Sequence, residues 1–272
     1  MEPHIGAKSE NVTRSVAFLN EAADHGAGLV VLPELANTGY VFESREEAVG
    51  LAEPVPAGET TRIWTQVAAK RGLHIVAGIT EQAGGVLFNS AVLIGPGGFI
   101  GTYRKMHLWG DEKKVFAPGN LGFPVYETAL GRIGVGICYD GWFPEMYRLQ
   151  ALAGADVICV PTNWVPMPGQ TAEYAAMANT LTMAAAHSNG LVIACADRIG
   201  VERGQPFEGQ SLIVDRTGWP LVRAGKTAEE IIYADVSLAP RRSVGADNDV
   251  LADRRTDVYA EMLGFRAPAS TD

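Results

Sequence analysis

Cysteine is scarce in this chain. Cys138, Cys159 and Cys195 are its three cysteines in 272 residues. The count is odd, the spacings are wide and no Cys-x-x-Cys occurs, so neither a disulfide frame nor a zinc site is indicated. Long apolar runs are missing too, and none could span a bilayer. The opening MEPHIGAKSENV has no charged start followed by an apolar stretch, so no secretory signal is expected, and Asn11-Val12-Thr13 reads as an idle glycosylation match. Basic residues are in deficit: 22 Lys and Arg against 31 Asp and Glu give a net charge of −9. That argues against nucleic acid or an anionic membrane as the main partner. No His-Glu-x-x-His and no Gly-x-Ser-x-Gly occurs, and Gly134-Val135-Gly136 lacks the third glycine of a dinucleotide loop. No metal or cofactor is expected, and a reducing cytoplasm is the expected location.

What is present reads as a globular α/β chain. Apolar residues make up 47% and charged residues 19%, enough to bury a full core. Val12, Val16, Leu19 and Ala23 share one face of a predicted helix from Ser9 to His25, and a second runs from about Thr60 to Lys70. Strands are expected at Leu29–Pro33, His74–Ile79, Asp156–Pro161, Leu191–Ala196 and near Ile231–Val236. Hairpins are expected at Gly95-Pro96-Gly97-Gly98, at Leu130-Gly131-Arg132 and around Arg216–Trp219. A helix should start at Pro144, and an Ala/Met-rich one should run from about Thr171 to His187. Helices alternating with strands, several of them in hairpins, point to layered α/β architecture with a mixed sheet. Without repeats or a linker-like composition shift, residues 1–272 read as one domain. A charged segment from about Leu238, with Arg241, Arg242, Arg254 and Arg255, reads as a solvated tail or as a carboxyl-terminal arm that packs on a second subunit.

The most informative window is Gly134-Val135-Gly136-Ile137-Cys138-Tyr139-Asp140-Gly141-Trp142-Phe143-Pro144-Glu145. It places a thiol at the carboxyl end of a buried strand, near a helix amino terminus that favours a thiolate or an oxyanion. Such a cysteine is a nucleophile or simply a small hydrophobe ending a strand. Glu34, just past Leu29–Pro33, is a base in an apolar mouth or an ordinary loop glutamate. Lys105, in Tyr103-Arg104-Lys105-Met106-His107, supports an oxyanion or caps a solvated strand end. All three lie at carboxyl ends of predicted strands, the rim where α/β folds assemble their sites. Hydrolysis of a carbon–nitrogen bond through a thioester needs a base, a cation and a thiol together.

This ordered set resembles the nitrilase superfamily of carbon–nitrogen hydrolases, whose triad runs Glu, Lys, Cys along the chain. Phe207-Glu208-Gly209-Gln210-Ser211 and Leu251-Ala252-Asp253-Arg254-Arg255-Thr256-Asp257 are further points of similarity, the latter to the family's arginine-bearing carboxyl-terminal arm. The resemblance implies a four-layer α-β-β-α sandwich, with Glu34 as general base, Lys105 as oxyanion support and Cys138 as nucleophile. It implies a second glutamate, matched here by Glu112, that orients the triad and meets the substrate nitrogen. Tyr139 is expected to supply a second oxyanion donor through its backbone N–H, while Asn163 and Trp164 line the pocket. The substrate implied is a small amide or carbamoyl amine rather than a nitrile, because Cys138-Tyr139-Asp140 replaces the Cys-Trp-Glu usual in nitrile hydrolysis. A homodimer or higher oligomer is implied as well, with the Thr171–His187 helix at the contact. Members usually open with an apolar strand that Met1-Glu2-Pro3-His4 does not provide. Either that strand lies upstream or the sheet lacks an outer member.

Rival readings have less to stand on. A papain-like enzyme needs a histidine paired with Cys138, and neither His74, His107 nor His187 lies in a window built for it. A silent binding scaffold of the same fold would fit best if a triad member were missing, and none is.

Overall fold

The computed structural model describes residues 1–171, 175–238 and 247–262. Its helices and strands follow in chain order. Helix α1 (Lys8–Asp24) leads to strand β1 (Leu29–Val31), then to helices α2 (Arg45–Leu51) and α3 (Glu59–Arg71). Strands β2 (His74–Ala83), β3 (Val86–Gly95) and β4 (Gly98–Arg104) form an antiparallel meander, followed by the single turn α4 (Glu112–Val115). The second half contains β5 (Val125–Thr128), β6 (Gly131–Val135), α5 (Pro144–Leu152), β7 (Val157–Thr162), α6 (Met177–Asn189) and β8 (Val192–Asp197). Two-residue strands β9 (Val201–Glu202) and β10 (Gln205–Pro206) pair with each other, and β11 (Leu212–Val214) with β12 (Pro220–Arg223). Helix α7 (Thr256–Met262) closes the described chain. No described helix is long and apolar enough to cross a membrane.

Two mixed sheets result. One has the order β1-β2-β3-β4, the other β12-β11-β8-β7-β6-β5, with β6, β7 and β8 parallel. Side-chain alternation along β2 decides the layering. Ile75, Ala77 and Ile79 face Leu19 of α1 and Trp64 and Ala68 of α3. Val76 joins Ala91, Leu93 and Tyr103 on the other face, packed against Ile133, Val135 and Val157 of the second sheet. Strand β7 is buried along its whole length, because α5 and α6 cover the side that the first sheet does not. The layers are therefore α, β, β, α, as the resemblance implied.

Several expectations need correction. Ile231–Val236 carries a strand-like apolar pattern, yet it joins no strand among the described residues. A hydrophobic pattern places a segment against the core, but a strand also needs a neighbouring backbone to complete its ladder. Glu230–Val236 instead lines a cavity of about 640 Å³ together with residues of β1. Among the described residues β1 pairs with β2 alone, so the first sheet ends there with an open edge. The Ala/Met-rich helix begins at Met177, not Thr171, because Ala176 is extended and donates its N–H to Gln210 Oε1. Residues 172–174 of that expected span, and Arg241 and Arg242 of the arm, lie outside the described residues. Helix α2 had a readable start that the periodicity missed. Ser44 Oγ accepts from Glu47 N, and Glu47 Oε2 accepts from Glu43 N, a Ser-x-x-Glu cap.

Candidate active site

Each of the three ordered residues leaves the rim of a sheet. Glu34 follows β1, Lys105 directly follows β4 and Cys138 lies three residues past the end of β6. The turn after β1 lies on the backbone of β2. A side chain on Gly78 would stand 2.4 Å from Leu35 N and 2.5 Å from Glu34 Cα, so only glycine lets the two backbones approach this closely. Leu35 itself has a positive φ of 49°. Asn163, just past β7, ties the same turn to the second sheet by donating from Nδ2 to the Glu34 carbonyl at 3.0 Å.

At the centre is Lys105, completely buried. Its Nζ lies 2.6 Å from Glu34 Oε1 and 2.6 Å from Glu112 Oε1. An ammonium has three N–H donors, so two are committed to carboxylates and the third is left for another acceptor. Burial alone would lower the Lys105 pKa, but the Glu112 and Glu34 charges outweigh it and hold the group above its ordinary value. Glu34 behaves differently. Burial raises its pKa from 4.5 to about 7, Lys105 opposes that rise and Glu112 adds to it. Its Oε1 also accepts from Asn89 Nδ2 at 2.6 Å, whereas its Oε2 is buried without a hydrogen-bond partner. Glu112 is held from three sides: Oε1 accepts from Lys105 and from the Tyr40 hydroxyl at 2.6 Å, and Oε2 from Trp109 N at 3.2 Å.

Cys138 is not the last residue of a strand. Strand β6 stops at Val135, and Cys138 opens a 3-10 turn, Cys138–Trp142, with a φ of 45°. A non-glycine residue in the left-handed region is strained by about 1–3 kcal/mol and must be held by its surroundings. Asp140 holds this one. Its Oδ2 accepts from Ile137 N and the Tyr103 hydroxyl, and its Oδ1 from His107 N, with His107 Nδ1 2.8 Å away. The His107 ring in turn stacks on Phe143 at 3.7 Å, ahead of Pro144 at the start of α5. The Asp140 carboxylate is thus engaged at both oxygens in bracing the turn.

Cys138 is buried. Burial pushes its pKa well above 9, the Glu34 charge adds to this, and Lys105 pulls the other way. Two carboxylates and one ammonium already leave the cluster with one excess negative charge, so a second anion on sulfur is disfavoured. The arrangement can therefore keep the thiol protonated and pass its proton to Glu34 only as a new bond forms. Beside the thiol is a cavity of about 10 Å³, walled by Trp109, Tyr139, Trp142, Asn163, Trp164 and Met167. Asn163 and Trp164 are thus brought to the cavity wall, and Trp164 N donates to Asp197 Oδ1. The Tyr139 ring meets Trp109 edge-on at 4.8 Å, and its amide lies in the first turn after β6, where helical N–H groups lack a helical partner. Asn89, Tyr40 and Trp109 escaped the sequence reading. Asn89 had left a signal, as a polar residue inside the apolar run Val86-Leu87-Phe88-Asn89-Ser90-Ala91. Among the described residues no group of three or more His, Cys, Asp or Glu side chains is placed to hold a metal ion.

The same architecture recurs in known proteins. The profile of the carbon–nitrogen hydrolase family matches residues 1–246. A protein named nitrilase from Pyrococcus abyssi is 44% identical over 261 residues, 95% of this chain and 96% of the relative. A carbon–nitrogen hydrolase from Helicobacter pylori G27 superposes with a TM-score of 0.84 at 29% identity, covering 97% of this chain and 96% of its own. A mutant of the amidase from Nesterenkonia sp. AN1, solved after Michael addition of acrylamide at its active-site cysteine, superposes at 0.79 with 25% identity, covering 96% of each chain.

A thiol whose proton passes to Glu34 reacts at a rate that follows the ionisation of Glu34. Alkylation of Cys138 by iodoacetamide should therefore accelerate as pH rises through about 7, where Glu34 becomes a base, and should far outrun Cys159 and Cys195. Because the Glu112 charge helps raise the Glu34 pKa, Glu112→Gln should move the inflection to lower pH. Peptide mapping of labelled protein across a pH series reads both effects, and an inflection above 9 in the wild type would count against the coupling.

Proposed function

We propose a thioester mechanism at Cys138 for this chain, which belongs to the carbon–nitrogen hydrolase family and is a hydrolase of carbon–nitrogen bonds. The observation that carries the proposal is Lys105 Nζ at 2.6 Å from both Glu34 and Glu112, beside a buried thiol on a strained turn. In this reading Glu34 Oε2, the carboxylate oxygen without a partner, accepts the thiol proton as sulfur attacks the substrate carbonyl carbon. The third Lys105 N–H and the Tyr139 amide stabilise the oxyanion. Glu34 then returns the proton to the departing nitrogen, which Glu112 steadies, and ammonia or an amine leaves a thioester on Cys138. Water enters next. Glu34 takes its proton as the water oxygen bonds to the thioester carbon; the carbon–sulfur bond then breaks, the sulfur recovers the proton from Glu34 and the carboxylic acid departs.

Cys138→Ala should abolish turnover while keeping the fold, since a methyl group fills nearly the same space without a nucleophile. Wild-type protein quenched during turnover of a slow amide should show an acyl mass adduct that the variant lacks. Glu34→Gln and Lys105→Ala should each slow turnover by roughly 10²-fold or more, the scale of a lost base or oxyanion donor. Undiminished activity in Cys138→Ala would overturn the mechanism.

The substrate proposed is a small amide or carbamoyl amine with an uncharged acyl part. Apart from the Glu34, Lys105 and Glu112 cluster, the side chains that wall the cavity beside the thiol are aromatic or uncharged. An amide needs a proton delivered to its leaving nitrogen in the first half-reaction, a task suited to a carboxyl group with a pKa of about 7. A nitrile forms a thioimidate first and has no leaving group at that stage. Butyramide should therefore show a higher kcat/KM than butyronitrile, and the opposite order would place the protein with nitrile hydrolases while leaving the mechanism at Cys138 in place.

Assembly into at least a homodimer is also proposed. Helices α5 and α6 form the outer layer over the second sheet, and Leu149, Leu152 and Met177 on them are about half exposed. Large apolar side chains on adjoining helices suit a subunit contact. Much of the apolar content of α6 is core instead, including Ala178 and Ala186. Light scattering at micromolar concentration should give at least twice 29.0 kDa, and a monomer would refute the contact. The three free thiols suit a reducing compartment, in line with a cytoplasmic location.

A further inference from the structure

Glu202 stands in the small β9–β10 hairpin, outside both main sheets, yet it is 6% exposed. Its Oε2 accepts from two consecutive backbone amides, Tyr40 N at 2.8 Å and Val41 N at 2.7 Å. Its Oε1 lies 3.1 Å from Nη1 of Arg198, a cation buried to 1% exposure. Arg198 donates from Nη2 to the Pro3 carbonyl, and its guanidinium stacks 4.2 Å over the Phe207 ring. Phe207 meets the Tyr40 ring edge-on at 5.9 Å and 86°, so the contacts close into a circuit of Arg198, Glu202, Tyr40 and Phe207. Preceding Tyr40 is Gly39, with a φ of 83°. A Cβ there would come within 2.7 Å of Glu202 Oε1 and within 2.5 Å of the Ile5 backbone. The glycine thus admits the carboxylate to the turn.

The circuit has one output toward the site, the hydroxyl of Tyr40 at 2.6 Å from Glu112 Oε1. Burial, with the Glu112 charge behind it, drives the Tyr40 pKa well above 10, so the phenol stays a donor. Glu112 stands on the four-residue turn α4, too short to fix a carboxylate unaided. A buried ion pair such as Arg198–Glu202 adds little net stability for its desolvation, which leaves conformational definition as its use. Two amides received by one oxygen fix the peptide planes of Tyr40 and Val41, and with them the direction of the phenol.

We propose that Glu202 is a positioning residue: by clamping the Tyr40 backbone it aims the Tyr40 hydroxyl at Glu112 and so sets Glu112 against Lys105 for the reaction. This rests on the thioester mechanism proposed above, in which Glu112 steadies the substrate nitrogen. The test is a double-mutant cycle in the full-length protein with butyramide as substrate, normalised to alkylatable Cys138. Tyr40→Phe and Glu202→Ala should each lower kcat about tenfold with KM changed less than twofold, since the interaction supports the transition state rather than ground-state binding. The double variant should be no slower than the slower single one. Glu202→Gln should regain part of the loss, because its amide oxygen still accepts N–H donors. Should Glu202→Ala fail to fold, Glu202→Gln paired with Tyr40→Phe completes the cycle. Multiplicative losses, or a wild-type kcat in either single variant while Glu112→Gln is impaired, would overturn the proposal. Wild-type kcat in Glu112→Gln itself would instead overturn the role of Glu112 on which it rests.

Discussion

Everything near the thiol is arranged around one buried ammonium. Lys105 has no access to solvent, and its charge is tolerable only because two carboxylates accept from it at 2.6 Å. Removing a partner from such a pair typically costs about 3–5 kcal/mol, since a buried charge is left uncompensated. The three groups come from chain positions 34, 105 and 112, so a single electrostatic requirement ties the turn after β1, the end of β4 and the turn α4 into one unit. It also governs protonation. With Lys105 locked in the charged form, the cluster retains a single excess negative charge, and Glu34 and the thiol then compete for one proton. A base near neutrality and a reluctant thiol follow from that competition.

Rigid bracing complements the charge. Cys138 occupies a left-handed backbone conformation that a cysteine does not choose, and four contacts through Asp140 hold the turn that imposes it. Tyr103 reaches that turn from β4, the strand that also delivers Lys105. The nucleophile and the cation are thereby referenced to the same strand, while Asn163 fixes the Glu34 carbonyl to the end of β7. Loops carry the reactive groups, but the sheets determine their separation. That division suits a reaction in which small displacements of a base or cation forfeit large factors in rate.

The sequence determined much of this by local chemistry. Periodicity and glycine stops gave α1, α3 and most strands, because amphipathic faces and turns are encoded by neighbouring residues. Glu34, Lys105 and Cys138 were legible as strand-end residues of suitable chemistry, and the order of their motifs resembled one family. Only tertiary structure could decide what those residues touch. The Tyr40–Glu112 bond joins residues 72 apart, and the Glu202 clamp spans 162. Pairing at such distance leaves no local pattern, and neither did the strain at Cys138 or the inward turn of Asp140. The segment Ile231–Val236 shows the same limit from the other side. Its apolar pattern reads as a strand, yet its residues are only partly covered or exposed along a cavity wall, and a ladder depends on the backbone that lies alongside, which no stretch of sequence specifies by itself.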